Sequence, residues 1–205
     1  MPRPHPETRV GIDLGLKDLA TLSDGMKFEA PRYYRATEER LAAAQRARKP
    51  SLVRTLSARI KNQRKDHAHK VSNLVCKQYK DIYVGDVSPS EIIQKPRLAK
   101  STLDAGWAIL RGMLSYKSIR EGGNYYNVDE AYSTQACSTC QVLSGPRGRS
   151  GLGIRVWTCG GCGTVQDRDT NAARNVLRWG TPAPVEGVDC KCQSVHSIRP
   201  GAKCS

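Results

Sequence analysis

The sequence has no run of eighteen apolar residues, so no segment of it is expected to cross a membrane as a helix. Its opening stretch, MPRPHPETRVGID, has neither an apolar core nor a cleavage pattern, and is not expected to act as a secretory signal. No internal repeat is present, which excludes solenoid and propeller architectures. Only four histidines occur, and two of them, His67 and His69, fall in one basic stretch. Nothing therefore supports a Ser-His-Asp or Cys-His nucleophile. Acid is scarce too: 19 Asp and Glu stand against 33 Lys and Arg, for a formal charge of +14. Hydrophobic residues make up 39%, below the usual globular share but enough for one core. A chain of 205 residues suits one domain, alone or with a small appendage. An excess of positive charge this large points to a polyanion, most often nucleic acid. A ribosomal or membrane-surface protein could share the composition. The expected compartment is the cytoplasm.

The charge is concentrated. Between Arg32 and Lys80, fourteen lysines and arginines face only Glu38, Glu39 and Asp66. Leu52, Leu56, Ile60, His67, Val71, Leu74 and Val75 fall near one helical face there, with Arg59, Lys61, Arg64, Lys65 and Lys70 largely elsewhere. The pattern predicts one or two helices broken near Lys49-Pro50-Ser51. The basic side is either a solvated face or a phosphate-facing surface. Around it the pattern is β-rich. Strands are expected at Thr8–Leu14, Leu19–Ser23, Lys27–Ala30, Asp81–Asp86 and Asn124–Tyr132, with an Asp24-Gly25 turn. Helices are expected at Ser101–Tyr116, with an apolar stripe of Leu103, Trp107, Leu110, Met113 and Leu114, and at Asp169–Trp179, with Ala172, Ala173, Val176 and Leu177 inward. Cys76 reads as a core residue. From Gly180 the chain is rich in Pro, Gly and Ser, and 180–205 is expected to be a flexible tail. The predicted class is α/β, a mixed sheet with flanking helices.

Eight cysteines occur, and four form two knuckles: Cys137-Ser-Thr-Cys140 and Cys159-Gly-Gly-Cys162. Two such pairs supply four thiolates for a closed tetrahedral site, the arrangement that structural Zn²⁺ takes. With every position filled, this zinc would not be catalytic. The loop from Gly145 to Gly153 brings Arg147 and Arg149, a basic tip suited to a phosphate backbone or simply a solvated loop. Cys190, Cys192 and Cys204, even with His196, match no usual metal spacing.

Two acids stand out. Asp13, in Gly11-Ile-Asp-Leu-Gly15, ends an apolar strand, where a carboxylate either caps a turn or binds a cation. Asp169, in Asp167-Arg-Asp169-Thr-Asn171, opens a helix and is either a plain N-cap or a second ligand.

GIDLG at 11–15, IKNQRKDHAHKVSN at 60–73, STQACSTC at 133–140, WTCGGCG at 157–163 and DRDTNAARNVL at 167–177 follow one another in a recognisable order. Together they make the chain resemble the C-terminal half of the OrfB/TnpB family of insertion-sequence proteins. The resemblance implies an RNase H-like (RuvC) nuclease fold over 8–132 and 167–179, with a four-cysteine zinc ribbon inserted at 133–166. It implies RNA-guided, Mg²⁺- or Mn²⁺-dependent cleavage of DNA phosphodiesters in a prokaryotic cell, with DNA and a guide RNA as partners. Against that family the chain reads as a fragment, a degenerate copy, or a nuclease domain acting with a second chain that supplies the N-terminal half. It makes Asp13 and Asp169 the first and last carboxylates of the nuclease. The third is Glu130 or Asp86, because Gly85 stands where many relatives have Glu and some branches resemble this one in moving the Glu to the position of Glu130. A different reading is a non-catalytic nucleic-acid-binding module with the same fold.

Overall fold

The computed structural model describes residues 8–86, 105–148 and 150–182. Three strands open the chain: β1 (Arg9–Leu14), β2 (Asp18–Leu22) and β3 (Lys27–Glu29). Two helices follow, α1 (Tyr33–Arg46) and α2 (Pro50–Gln78), separated where the sequence places its break. Then come β4 (Asp81–Gly85), α3 (Trp107–Arg120) and β5 (Asn124–Val128). A small antiparallel pair, β6 (Val156–Thr158) and β7 (Val165–Asp167), leads directly into α4 (Arg168–Gly180).

The main sheet has the order β3-β2-β1-β4-β5. β1 pairs antiparallel with β2, β2 antiparallel with β3, and β1, β4 and β5 run parallel. Period-two alternation divides the side chains between two faces. Val10, Ile12 and Leu14 of β1, with Ile82 and Val84 of β4, join the main core beneath α2 and α3, which contribute Val71, Val75, Cys76, Leu110 and Leu114. Tyr83 and Val128 face the other way and pack with Val176 and Leu177 of α4. The mixed α/β sheet with helices on both faces, and the buried Cys76, are as the sequence predicts. No helix among the described residues is long and apolar enough to cross a membrane.

Several elements differ from expectation. β5 stops at Val128 rather than Tyr132, because Asp129 Oδ1 accepts the Ala131 amide at 2.9 Å and turns the chain. Helix α3 runs to Arg120 rather than Tyr116. Its extension hides Lys117, only 2% exposed, whose ammonium donates to Ser72 Oγ at 2.7 Å and the His69 carbonyl at 3.1 Å. A buried lysine breaks the apolar stripe that signals a helix. Leu103 lies outside the described residues. Leu52 and Leu74 are each 41% exposed, off the packed face assigned to them. The tail from 183 onward, with Cys190, Cys192, His196 and Cys204, also lies outside the described residues.

Gly11 sets the spacing between sheet and helix. A Cβ there would collide with the Ala173 carbonyl oxygen and the Leu177 amide nitrogen, so α4 rests backbone to backbone on β1. Gly11→Ala is therefore expected to lower stability by about 1–3 kcal/mol, the usual cost of overpacking. Urea unfolding measures it, and an unchanged midpoint would contradict the close approach.

Candidate metal centres and nucleic-acid surface

Asp13 shares the α4 face of β1 with Gly11, two residues further along the strand. Asp169 lies one helical turn before Ala173, the residue that touches Gly11. A strand step of two and one helix turn are nearly equal in length, so the two carboxylates come to the same level. Asp13 sits in a crevice, partly open to solvent and surrounded by protein atoms. Burial, then the charges of Glu130 and Asp169, hold its carboxyl well above the usual range; Arg168 and Arg155 oppose this.

Glu130 reaches the same place from the other side. β1 and β4 pair in register, with Ile12 beside Val84, so the next residues, Asp13 and Gly85, are neighbours on the α4 face. A Cβ on Gly85 would lie 2.5 Å from Glu130 Oε2. The missing side chain at Gly85 is the space that the Glu130 carboxylate fills. Glu130 stands in the turn after β5, not within the strand as expected. Its Oε2 is buried with no hydrogen-bond partner. Burial, with Asp86 and Asp129, pushes its pKa up to about 7 against the pull of Arg111. Asp13 feels the charges of both Glu130 and Asp169, although the three carboxylates are not drawn within 4.8 Å of one another as the cysteines are. A buried carboxylate oxygen without a donor fits a cation with oxygen preference such as Mg²⁺ or Mn²⁺.

The surrounding acids are occupied. Asp86 forms an ion pair with Arg111 at 2.6 Å. Asp167, not Asp169, is the N-cap of α4, accepting from the Thr170 amide at 2.9 Å, and it also pairs with Lys27 at 3.0 Å. Burial works against its ionisation, but the Thr170 amide and Lys27 prevail and hold its pKa down. Asp169 receives Arg155 Nη1 at 2.9 and 3.1 Å. Sequence reasoning missed Arg155 and Lys27. Each is distant in sequence from its acid or separated from it by a turn, so no spacing rule marks it.

The four knuckle cysteines bring their sulfurs within 4.8 Å of one another, the one group of potential ligands this tight among the described residues. Cys137 and Cys162 are 3.7 Å apart and Cys140 and Cys159 3.5 Å. Four ligands at the zinc–sulfur distance of about 2.3 Å would be separated by roughly 3.8 Å. The set is compatible with zinc. The Ser144 hydroxyl, together with the Cys162 and Gly161 amides, draws the Cys159 thiol down to about 6. β6 and β7 carry the second knuckle between them. Two fully buried asparagines dock this unit on α4. Asn171 and Asn175 both donate to the Ser133 and Ala136 carbonyls, at 2.7–3.1 Å.

Of the basic residues, Arg59, Lys61 and Lys65 lie exposed on α2 and Arg64 is half-buried. Lys70 is paired with Asp66 at 2.7 Å. Arg147 donates to the Leu143 carbonyl at 2.7 Å, and Arg149 lies outside the described residues. The loop read as a basic tip contains a short 3-10 helix, Ser150–Gly153.

Comparison with known proteins identifies the family. Residues 1–93 match the OrfB family model described as "Probable transposase", and residues 107–176 match "Cas12f1-like, TNB domain". A Streptomyces pristinaespiralis protein named "Putative RNA-guided DNA endonuclease" is 36% identical over 91% of this chain and 48% of its own length. InsQ of Escherichia coli K12, "Putative RNA-guided DNA endonuclease InsQ", is 32% identical over 86% of this chain and 50% of its own length. The chain thus spans about half the length of these curated relatives. Among solved structures, the Cas12f1-sgRNA-target DNA complex aligns with a TM-score of 0.62 at 16% identity, over 86% of this chain and 51% of that one.

The raised Glu130 pKa has a measurable sign. An acid whose folded pKa exceeds its unfolded value, about 4.3, favours folding below the unfolded value and loses that contribution as pH rises through the folded one. Without divalent cation, Glu130→Gln should raise the melting temperature, and by more at pH 8 than at pH 5. Equal gains at both pH values would show that Glu130 ionises as it does in water.

Proposed function

The chain belongs to the OrfB/TnpB family, and from that premise we propose that it is a metal-dependent endonuclease module that hydrolyses DNA phosphodiesters at the C-terminal ends of β1 and β4. One observation carries this reading: the orphaned Glu130 oxygen, lodged over Gly85 in a crevice shared with Asp13 and Asp169. In the reading, Asp13, Glu130 and Asp169 are the ligands of Mg²⁺ or Mn²⁺. Glu130 is preferred to Asp86, which has its own counter-ion in Arg111. Bound divalent cations would supply Lewis acidity and a water of lowered pKa.

The chain's own residues do the rest. Asp13 and Glu130 release their protons to become ligands, which their raised pKa values make a pH-dependent step. Arg155 pairs with Asp169 and offsets its charge. Arg59, Lys61, Arg64 and Lys65 line the nucleic-acid path along α2, and Arg147 the path along the ribbon. The nuclease domain is 8–132 with 167–179, and 133–166 is the ribbon inserted within it. A guide RNA is the further partner in this reading, as the names of the curated relatives suggest. Likeness to the Cas12f1 complex supports nucleic-acid partners of this kind.

Purified protein with Mg²⁺ should nick single-stranded DNA, and Asp13→Ala or Asp169→Ala should reduce nicking to background. Glu130→Ala should do the same while Asp86→Ala remains active. Cleavage that survives the first two substitutions would refute the assignment. Salt-sensitive binding by the wild type without any cleavage would favour the non-catalytic module.

The Cys137, Cys140, Cys159 and Cys162 set is proposed to hold one structural zinc. Elemental analysis should find about one zinc per chain, and Cys140→Ser should lower that content and increase hydrogen exchange across 133–166. Metal-free wild-type protein with an equally protected ribbon would argue against it.

A further inference from the structure

Helices α1 and α2 do not stay on the sheet. In the second half of α2, Ala68, Val71, Val75 and Cys76 belong to the main core. In the first half, Leu56 packs instead with Leu41 and Ala44 of α1, making a small separate core. The crossover can be located. His67 interacts with the backbone of Glu29, the last residue of β3. β3 runs parallel to β1, so Glu29 lies at the same end of the sheet as Asp13. The C-terminus of α2 returns to the opposite end, where β4 begins. Residues 50–66 must therefore project past the carboxylate end, for about 25 Å at 1.5 Å per residue.

The outer tip of this arm is a cationic hollow. A shallow, open surface hollow of about 550 Å³ is lined by Gln45, Arg48, Lys49, Pro50, Val53 and Arg54. No acid lines it. Among the described residues, none of the three cations enters an ion pair, whereas Lys27, Arg35, Lys70, Arg111, Arg120 and Arg155 each have one. The first turn of α2 contains no acid either. Three uncompensated cations around one hollow repel each other, and the fold gains nothing from their meeting. A polyanion removes that penalty.

We propose that the tip formed by Arg48, Lys49 and Arg54 is a separate phosphate-binding site, which grips a nucleic-acid backbone about 25 Å beyond the carboxylates. At about 3.4 Å per nucleotide along a strand, that is roughly seven nucleotides from the reacting phosphate. The choice of nucleic acid as the polyanion rests on the endonuclease reading above; the hollow and its charge do not.

The test compares three proteins without added divalent cation: the wild type, the tip variant Arg48→Gln/Lys49→Gln/Arg54→Gln, and a control, Arg9→Gln/Lys77→Gln/Arg120→Gln. The control removes the same charge from the opposite end of the molecule. Ligands are thirty-residue single-stranded DNA, duplex DNA and an RNA–DNA hybrid, titrated across salt concentrations. The tip variant should bind at least one of them about tenfold more weakly at about 0.1 M salt. It should also show a log K against log salt slope shallower by about two to three, near 0.9 per lost phosphate contact on a duplex. The ligand most affected identifies the strand held there. The control should keep the wild-type slope. Equal losses in both variants would show a mere net-charge effect and overturn the proposal, as would a tip variant indistinguishable from wild type. Wild-type protein that binds none of the three overturns both this proposal and the endonuclease reading. All six altered side chains are exposed, so the three proteins are expected to match in circular dichroism and closely in melting temperature.

Discussion

Helix α4 lies directly on the backbone of β1, and the absence of a side chain at Gly11 is what allows it. From this contact the rest of the arrangement follows. It places the first turn of α4 level with Asp13, so Asp169 and Asp13 share one crevice. It also sets where the cysteine unit hangs, because Asn171 and Asn175 on the same helix take both carbonyl anchors, Ser133 and Ala136. Gly85 does the equivalent work on the neighbouring strand by giving room to Glu130. Two missing side chains, one per strand, shape the site more than any residue that fills space.

The charges around this crevice are sorted. Asp86, Asp167 and Asp169 each have a cationic partner within 3.0 Å. Asp13 and Glu130 have no ion pair among the described residues, and both resist ionisation. In a chain carrying +14, such isolation is not explained by a shortage of cations. The interior acids have no counter-ion while their neighbours are neutralised, and perturbed carboxyls in a crevice mark a candidate functional site.

Much of this was legible in the residues. The alternation of Val10, Ile12 and Leu14 against Gly11 and Asp13 marked β1, and the paired knuckles marked the sulfur cluster, because both signals are local and periodic. The break between α1 and α2 was visible at Pro50. What escaped depended on contacts between distant segments. Lys117 ends up buried because Ser72 and His69 accept from it, and no pattern within α3 announces that. The early stop of β5 needed the Asp129 turn, whose side-chain-to-amide bond outweighed the strand propensity of the residues after it. Asp169 looked like a cap because it stands near a helix start; the true cap, Asp167, lies two residues earlier, at the end of β7. Arg155 carried no local signal, since its role depends on β6 and α4 meeting in space.

The contact between Gly11 and Ala173 joins the first strand to the last helix, and so closes a very long loop in the chain. Sheet hydrogen bonds from β1 to β5 can form while the protein is still being made, since domains organise as synthesis proceeds from the N-terminus. The carboxylate crevice cannot, because Asp169 leaves the ribosome well after β1 to β5. A nascent chain therefore already exposes its basic arm before its acids are assembled. Asp169 joins Asp13 only when α4 seats.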